Sequence, residues 1–353
     1  MATVRQWGKL LLAGSGKALE PPLEDPARQV VVLDTEMGSE NSGDRIIMQA
    51  CDGVVRDLFG DIPLPHVATH YYDPELERIG GAIKLLCGTN ILYTHMADQR
   101  QWALPHDLAN MRDVCLLGVG MSDIGVDDQM DSYTKWFYKS ALSSTFLHSV
   151  RDEMTRQRLL DIGIDNVLNT ACPTMWSLTP ELLSRVPKRK ARHVLTSITD
   201  YCFSPDEDLA MLRILQQEYE KVTIWLQGSH DLDWCLDKIV GRGEFEMIGP
   251  DLEDLDKALR DPDLDYVGTR LHAGIRSLTR GHRTLVIAID NRARQIGADT
   301  NLPTLERGLV DTGALERWIN SPEPVELSMP WDEIGAWKEQ FRPKSRVAAG
   351  AAL

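Results

Sequence analysis

Runs of consecutive apolar residues alternate with helix-period segments along most of this chain. Gln29–Leu33 is a continuous apolar run of the kind buried on both faces of a parallel sheet. Ile83–Cys87, Ile91–Tyr93, Cys115–Gly120, Thr145–Val150 and Ile164–Leu168 read as further short strands. Between them, Ile46, Ile47 and Ala50 recur at helical spacing, and Trp136–Leu142 reads as a helix. Another helix starts at Asp152, carries Met154, Leu159, Leu160 and Ile162, and stops at Gly163.

The same alternation then begins again. His193–Thr199, Val222–Leu226, Asp265–Val267 and Thr284–Ile289 are strand-like. Helices are expected over Asp206–Tyr219, through Leu236, over Asp251–Leu259, and along Leu271, Ile275 and Leu278, with Gly281 as a stop. Strands and helices alternating in two halves predict an α/β fold of two Rossmann-like domains with parallel sheets. The division expected is a lead-in over residues 1–27, a first domain over 28–180, a second over 181–325, and a C-terminal helix and tail over 326–353. Pro187-Lys188-Arg189-Lys190 marks a solvated linker. Trp331–Phe341 is an amphipathic helix expected to pack back on the body, and Ala348–Leu353 reads as disordered.

Length and composition narrow the classes. At 353 residues each half can bury a core of its own, and no run of 18 or more apolar residues suggests a membrane span. The net charge of −15 argues against nucleic-acid binding, though local arginines can still form a positive pocket for a small anion. Six cysteines without a C-x-x-C pair, mostly in apolar runs, read as buried free thiols in a reducing cytoplasm. Gly14-Ser15-Gly16-Lys17 lacks the earlier glycine and preceding strand of a phosphate loop. The acidic stretch Asp123, Asp127, Asp128, Asp131 lacks calcium-loop spacing and reads as a solvated flap.

Candidate chemistry gathers where strands run into helices. The strand through Gly268 and Thr269 enters a helix at Arg270, Leu271 and His272. Unpaired N–H groups and the helix dipole favour an anion there, and Arg270 adds a planar cation. His272 adds a group able to change protonation near neutral pH. Arg151 has the same address in the first half. Two arginines so placed could grip one anion across a cleft, while an ion pair of Arg151 with Asp152 or Glu153 is the competing reading. The loop Asp34–Asp44 follows the first strand, the usual ligand position in an open α/β sheet. Asp44 is there either as a ligand-contacting group or as a dipole-favoured residue of the first helical turn. The Gly88-Thr89-Asn90 turn could face the same cleft.

Four segments together resemble the polysaccharide pyruvyl transferase family: NSGDRII at Asn41–Ile47, the run His148–Trp176, TRLHAGIRSL at Thr269–Leu278, and AIDNRARQI at Ala288–Ile296. They occur in the family's order and cover most of residues 30–310. The resemblance implies a GT-B-like arrangement with the active site in the interdomain cleft. It also implies transfer of a pyruvyl group from phosphoenolpyruvate to two hydroxyls of a sugar, forming a cyclic ketal and releasing phosphate. Carried over by position, Arg151 and Arg270 bind the donor's anionic groups, and Leu271 lines the pocket through its backbone. His272 is general acid or base, and Asp44 orients or deprotonates an acceptor hydroxyl. Asn41 and Gly43 belong to the family's N-x-G-D element and are candidate substrate contacts. His230, in the turn Gln227–Asp231, either faces the cleft or is structural. Asp290 and Asn291 either brace the Arg270 turn or touch ligand.

This chemistry requires no metal or organic cofactor. The partners implied are phosphoenolpyruvate and a sugar or lipid-linked saccharide. A lipid-linked acceptor would draw a cytoplasmic protein to the inner membrane surface, and a homo-oligomer is compatible with the sequence. Two other classes stay open: a GT-B glycosyltransferase with a nucleotide-sugar donor, and a non-catalytic sugar- or anion-binding protein. The first should show an acidic residue placed for ribose. The second has no need of a proton-transfer group such as His272.

Overall fold

The computed structural model describes residues 30–98, 101–122, 129–199, 201–202, 204–228, 230–238 and 245–342. The expectations for residues 1–27, Gln29, Asp123, Asp127, Asp128, Ser229 and 348–353 lie outside the described residues.

The first half runs β1 (Val30–Asp34), α1 (Ser42–Phe59), β2 (His66–Ala68), β3 (Ile83–Cys87), β4 (Asn90–Leu92), β5 (Val114–Leu117) and β6 (Gly120–Met121). It continues with α2 (Ser132–Ala141), β7 (His148–Val150), α3 (Glu153–Leu160), β8 (Val167–Asn169) and α4 (Pro180–Leu183). Its main sheet is parallel in the order β2-β1-β3-β5. The parallel pair β7-β8 extends it, since Gly118 N–H donates to Ser149 O at 2.9 Å beside β5. Every residue of β1, β3 and β5 is buried, as strands covered on both faces require.

The second half contains β9 (His193–Thr196), α5 (Pro205–Glu218), β10 (Lys221–Trp225), α6 (Asp231–Lys238), β11 (Glu246–Ile248) and α7 (Leu252–Ala258). After these come β12 (Leu264–Gly268), α8 (Leu271–Thr279), β13 (Thr284–Ala288), α9 (Asn291–Thr300), β14 (Thr304–Glu306), α10 (Ala314–Asn320) and α11 (Trp331–Glu339). Its six parallel strands take the order β11-β10-β9-β12-β13-β14. The chain reverses its direction of winding between β9 and β12 here, and between β1 and β3 in the first sheet. A crevice opens at such a switch point, outside the carboxyl ends of the strands.

Several boundaries move for local reasons. The apolar run Cys115–Gly120 is two strands, because the chain bends at Gly118 with φ +65°. Asp131 belongs to no flap: its carboxylate accepts Thr134 N–H at 2.6 Å and caps α2, which therefore starts before Trp136. The three-residue strands β2 and β14 are too short to carry a period of their own.

Helix α11 returns to the first half. Trp337 is fully buried there with Phe341, packed against Phe59, Phe146 and Trp176. Lys338 pairs with Asp57 at 3.0 Å, and Leu147 N–H donates to Gln340 Oε1 at 2.6 Å. Among the described residues no helix is long and apolar enough to cross a membrane.

Gly118 supplies a direct test of how tightly the first sheet is built. A Cβ added there would lie 2.0 Å from Cδ of Pro173, on a backbone already at positive φ. Left-handed strain and overpacking together set the expected cost of Gly118→Ala at about 2–4 kcal/mol. Urea unfolding reads this as a lower midpoint; an unchanged midpoint would show that the two segments separate freely.

Candidate active site

Between the two sheets lies a cleft of about 490 Å³. Its first wall is built from the end of β1. The Asp34 carboxylate accepts the N–H groups of Glu36 at 2.7 Å and Met37 at 3.2 Å, which folds the following loop into a tight turn. That turn carries Ser39, whose hydroxyl donates to Asp44 Oδ2 at 2.6 Å. Thr89 donates to the other oxygen of Asp44 at 3.3 Å. Asp44 thus sits in the first turn of α1, buried, facing a cleft that Thr89 and Asn90 also line. Burial pushes its carboxyl above the usual range, against the opposing pull of Ser39, His70 and Arg292.

Asn41 has a structural use as well as its place at the cleft. It caps α1, and its side-chain oxygen accepts Gly43 N–H at 2.9 Å and Gln227 Nε2–H at 2.8 Å. Asn41 borders the cleft, but its acceptor is occupied by an interdomain clasp. Gly43 is not among the lining residues. A Cβ there would meet Gln227 Nε2 at 2.8 Å, so a glycine lets the Gln227 side chain approach α1.

The second wall is cationic and begins where β12 meets α8. Arg270 N–H donates to Ser197 Oγ at 3.2 Å and its Nε to Ile198 O at 3.1 Å. Its Nη2 meets Asp231 Oδ1 at 2.5 Å with both side chains buried. Asp231 Oδ2 in turn accepts the N–H groups of Gln227 and Gly228, each at 2.8 Å. Arg270 is therefore held in one orientation by groups from two segments, Ser197–Ile198 and Asp231. Tyr201 lies beside it, with the Arg270 guanidinium 5.1 Å from the ring centroid and that of Arg292 at 5.4 Å. Arg292 is fixed by Asp290, Nε to Oδ2 at 2.9 Å, and by the Tyr201 hydroxyl. Arg270, Tyr201, Arg292 and the exposed His230 all line the cleft.

Arg292 and Tyr201 were not singled out by sequence. The signal for Arg292 was present: it follows Asp290 at a second strand-to-helix junction, the same address that drew attention to Arg270. Tyr201 had none, because it stands in an irregular segment after β9.

Arg151 and His272 are buried and are not among the residues that line the cleft. Arg151 is 1% exposed, stacked against Gly120, bonded to Asn90 Oδ1 and 3.4 Å from Asp152 Oδ2. The expected grip of Arg151 and Arg270 on one anion is thus not the resting geometry; Arg292 stands at the cleft beside Arg270 instead. Of the two ion-pair partners weighed for Arg151, Asp152 is the one used, and it also caps α3 through Thr155 N–H at 2.7 Å.

His272 is buried in the first turn of α8. Burial, reinforced by the charges of Arg151 and Arg292, pushes its pKa down to about 3. The expectation of a group titrating near neutral pH is corrected: in the unliganded protein this imidazole is neutral. Leu271 turns its side chain into an apolar cluster with Ile275 and Leu278. Asp290 and Asn291 brace Arg292 and the domain contact rather than the Arg270 turn. Asp290 caps α9, and Asn291 Nδ2–H donates to Met121 O at 3.0 Å. Among the described residues no group of three or more His, Cys, Asp or Glu is arranged to hold a metal ion.

With this geometry in hand, comparison with known proteins gives one family and one fold. The profile described as polysaccharide pyruvyl transferase matches residues 41–291, from the cap of α1 to the first residue of α9. The UDP-GlcNAc 2-epimerase of Methanocaldococcus jannaschii, solved with UDP-GlcNAc and UDP, superposes with a TM-score of 0.50. It is 9% identical and covers 88% of this chain and 97% of its own. A putative UDP-N-acetylglucosamine 2-epimerase of Listeria monocytogenes gives 0.46 at 9% identity, covering 88% and 94%. The UDP-GlcNAc 2-epimerase of Neisseria meningitidis bound to UDP-GlcNAc gives 0.44 at 11%, covering 88% and 97%. Identity this low speaks for the shared two-domain fold alone. No curated protein matches the chain significantly in sequence.

Proposed function

The chain belongs to the polysaccharide pyruvyl transferase family, and we propose that it moves a pyruvyl group from phosphoenolpyruvate onto two hydroxyls of a saccharide, leaving a cyclic ketal and phosphate. The observation that carries this reading is the pair Arg270 and Arg292, both beside the Tyr201 ring and lining one cleft with Asp44. Phosphoenolpyruvate has a carboxylate and a phosphate on a small frame. Two fixed, planar cations suit such a ligand, and their own carboxylate partners orient them before it arrives.

The reaction needs a proton delivered to the donor's methylene carbon and a proton removed from an attacking hydroxyl. The C–O bond to phosphate breaks as bonds to the two acceptor oxygens form. Of the two hydroxyl protons, one ends in the new methyl group and the other leaves with phosphate. Asp44, with a raised pKa and two hydroxyl donors holding it, is suited to take the proton from the attacking hydroxyl. His272 is neutral at rest because it is buried and because the charges of Arg151 and Arg292 add to that effect. An anionic donor beside Arg292 offsets that field, lifts the pKa of His272, and lets it carry the proton required at carbon.

The test is thermal stabilisation by phosphoenolpyruvate beside uridine diphosphate, in wild type and in Arg292→Ala. A ligand at 100 times its dissociation constant stabilises by about 2.7 kcal/mol, a readily visible shift. Stabilisation by phosphoenolpyruvate alone, lost in the variant, is the expected result. A shift with uridine diphosphate alone would replace this reading with a nucleotide-sugar enzyme.

A further inference from the structure

Among the described residues, the side chain of His272 has a polar contact from a segment distant in sequence. The sulfur of Cys172 lies 3.8 Å from His272 Nε2, and both side chains are buried. The hydroxyl of Thr174 donates to the same sulfur at 3.0 Å. Among the described residues Nδ1 of His272 makes no hydrogen bond.

The segment holding this sulfur is fixed on every side. Thr170 N–H donates to Val150 O at 2.9 Å, and Trp176 Nε1–H donates back to Thr170 O at 2.8 Å. Ala171 takes φ +57°, a conformation an alanine adopts only when its surroundings impose it, and its N–H is held by Asn169 Oδ1 at 3.1 Å. Pro173 is seated on Gly118, where no side chain would fit. Strain of this kind next to a polar contact points to a side chain whose position matters.

We propose that Cys172 is a positioning residue for His272, its S–H donating to Nε2 so that Nδ1 carries the imidazole proton. The direction is part of the proposal: Thr174 already donates to the sulfur, and the thiol hydrogen, its one donor, is assigned to Nε2 rather than a second donor to the sulfur. A neutral imidazole that accepts at one nitrogen bears its proton on the other, so a single tautomer results. The nitrogen left for chemistry is then Nδ1, in an orientation that does not have to be selected on each turnover. The thiol itself neither gains nor loses a proton overall.

The proposal rests on reading His272 as the proton-transfer group, but its test needs neither donor nor acceptor. Long-range proton–nitrogen correlation on the full chain labelled with ¹⁵N-histidine, at pH 7, reads which ring nitrogen carries the proton. His272→Gln identifies the signals. Wild type is expected to show one tautomer, with Nδ1 protonated. Cys172→Ala and Thr174→Val should each turn this into a mixture of both tautomers, while Thr174→Ser keeps the single one. A protonated Nε2 in wild type, or an unchanged tautomer in both Cys172→Ala and Thr174→Val, would overturn the assignment. Absence of turnover with phosphoenolpyruvate would bear on the proposed reaction and not on this hydrogen bond.

Discussion

Replacing His272 with glutamine is expected to lower kcat by about 10²–10⁴-fold, the usual contribution of a positioned proton-transfer group. Donor binding should survive, because the cleft-lining cations Arg270 and Arg292 are untouched. Thermal stabilisation by phosphoenolpyruvate therefore persists in a variant that no longer turns over. The pH dependence gives a sharper reading. In the free protein His272 is held down to about 3, so kcat/KM near neutral pH carries no limb from this group. Once the anionic donor offsets the arginine field, the same imidazole titrates higher. An alkaline fall should then appear in kcat, where the occupied enzyme is reporting, and vanish with His272→Gln. Stability moves the opposite way to donor-induced activation. Because folding depresses this histidine's pKa, the unfolded chain binds the extra proton between the ordinary value of 6.5 and about 3, and the contribution of His272 falls as pH drops through that window. Wild-type turnover in His272→Gln would remove the residue from the mechanism altogether.

How much of this was open to inspection in the chain itself depended on distance. Local rules covered the frame: short apolar runs such as Val30–Leu33 read as buried strands, and two rounds of alternation as two α/β halves. The strand-to-helix junction at Arg270 was legible for the same reason. What escaped was every property set by residues far apart. The low pKa of His272 arises first from burial by the assembled fold, then from the charges of Arg151, over a hundred positions upstream, and Arg292 on another helix. The engagement of Asn41 depends on Gln227, reached only when the two halves meet. Arg151 and Arg292 occupy equivalent junctions in sequence, yet Asn90, Gly120 and Asp152 enclose the first while the second stays at the cleft. Spacing cannot distinguish them, because the difference lies in what packs over each guanidinium.

Arg270→Ala is expected to damage stability and donor binding together, and the two effects can be separated. Removing one member of a buried ion pair leaves the other charged and desolvated, which costs about 3–5 kcal/mol. Asp231 has no easy escape by moving, since its second oxygen is fixed by the N–H groups of Gln227 and Gly228. The disturbance should reach the domain contact, because Asn41 bridges to Gly228 and bonds to Gln227. Removing both charges in Arg270→Met with Asp231→Leu eliminates the stranded carboxylate, so the double variant should unfold at a higher urea concentration than Arg270→Ala. Its donor binding should nonetheless remain lost, since the cation is still missing. Recovery of stability without recovery of binding would assign Arg270 both tasks, orienting the Gln227–Asp231 turn and meeting the donor's negative charge. If Arg270→Ala kept the wild-type urea midpoint and still responded to phosphoenolpyruvate, the pair would be dispensable and the donor would have to bind elsewhere in the cleft.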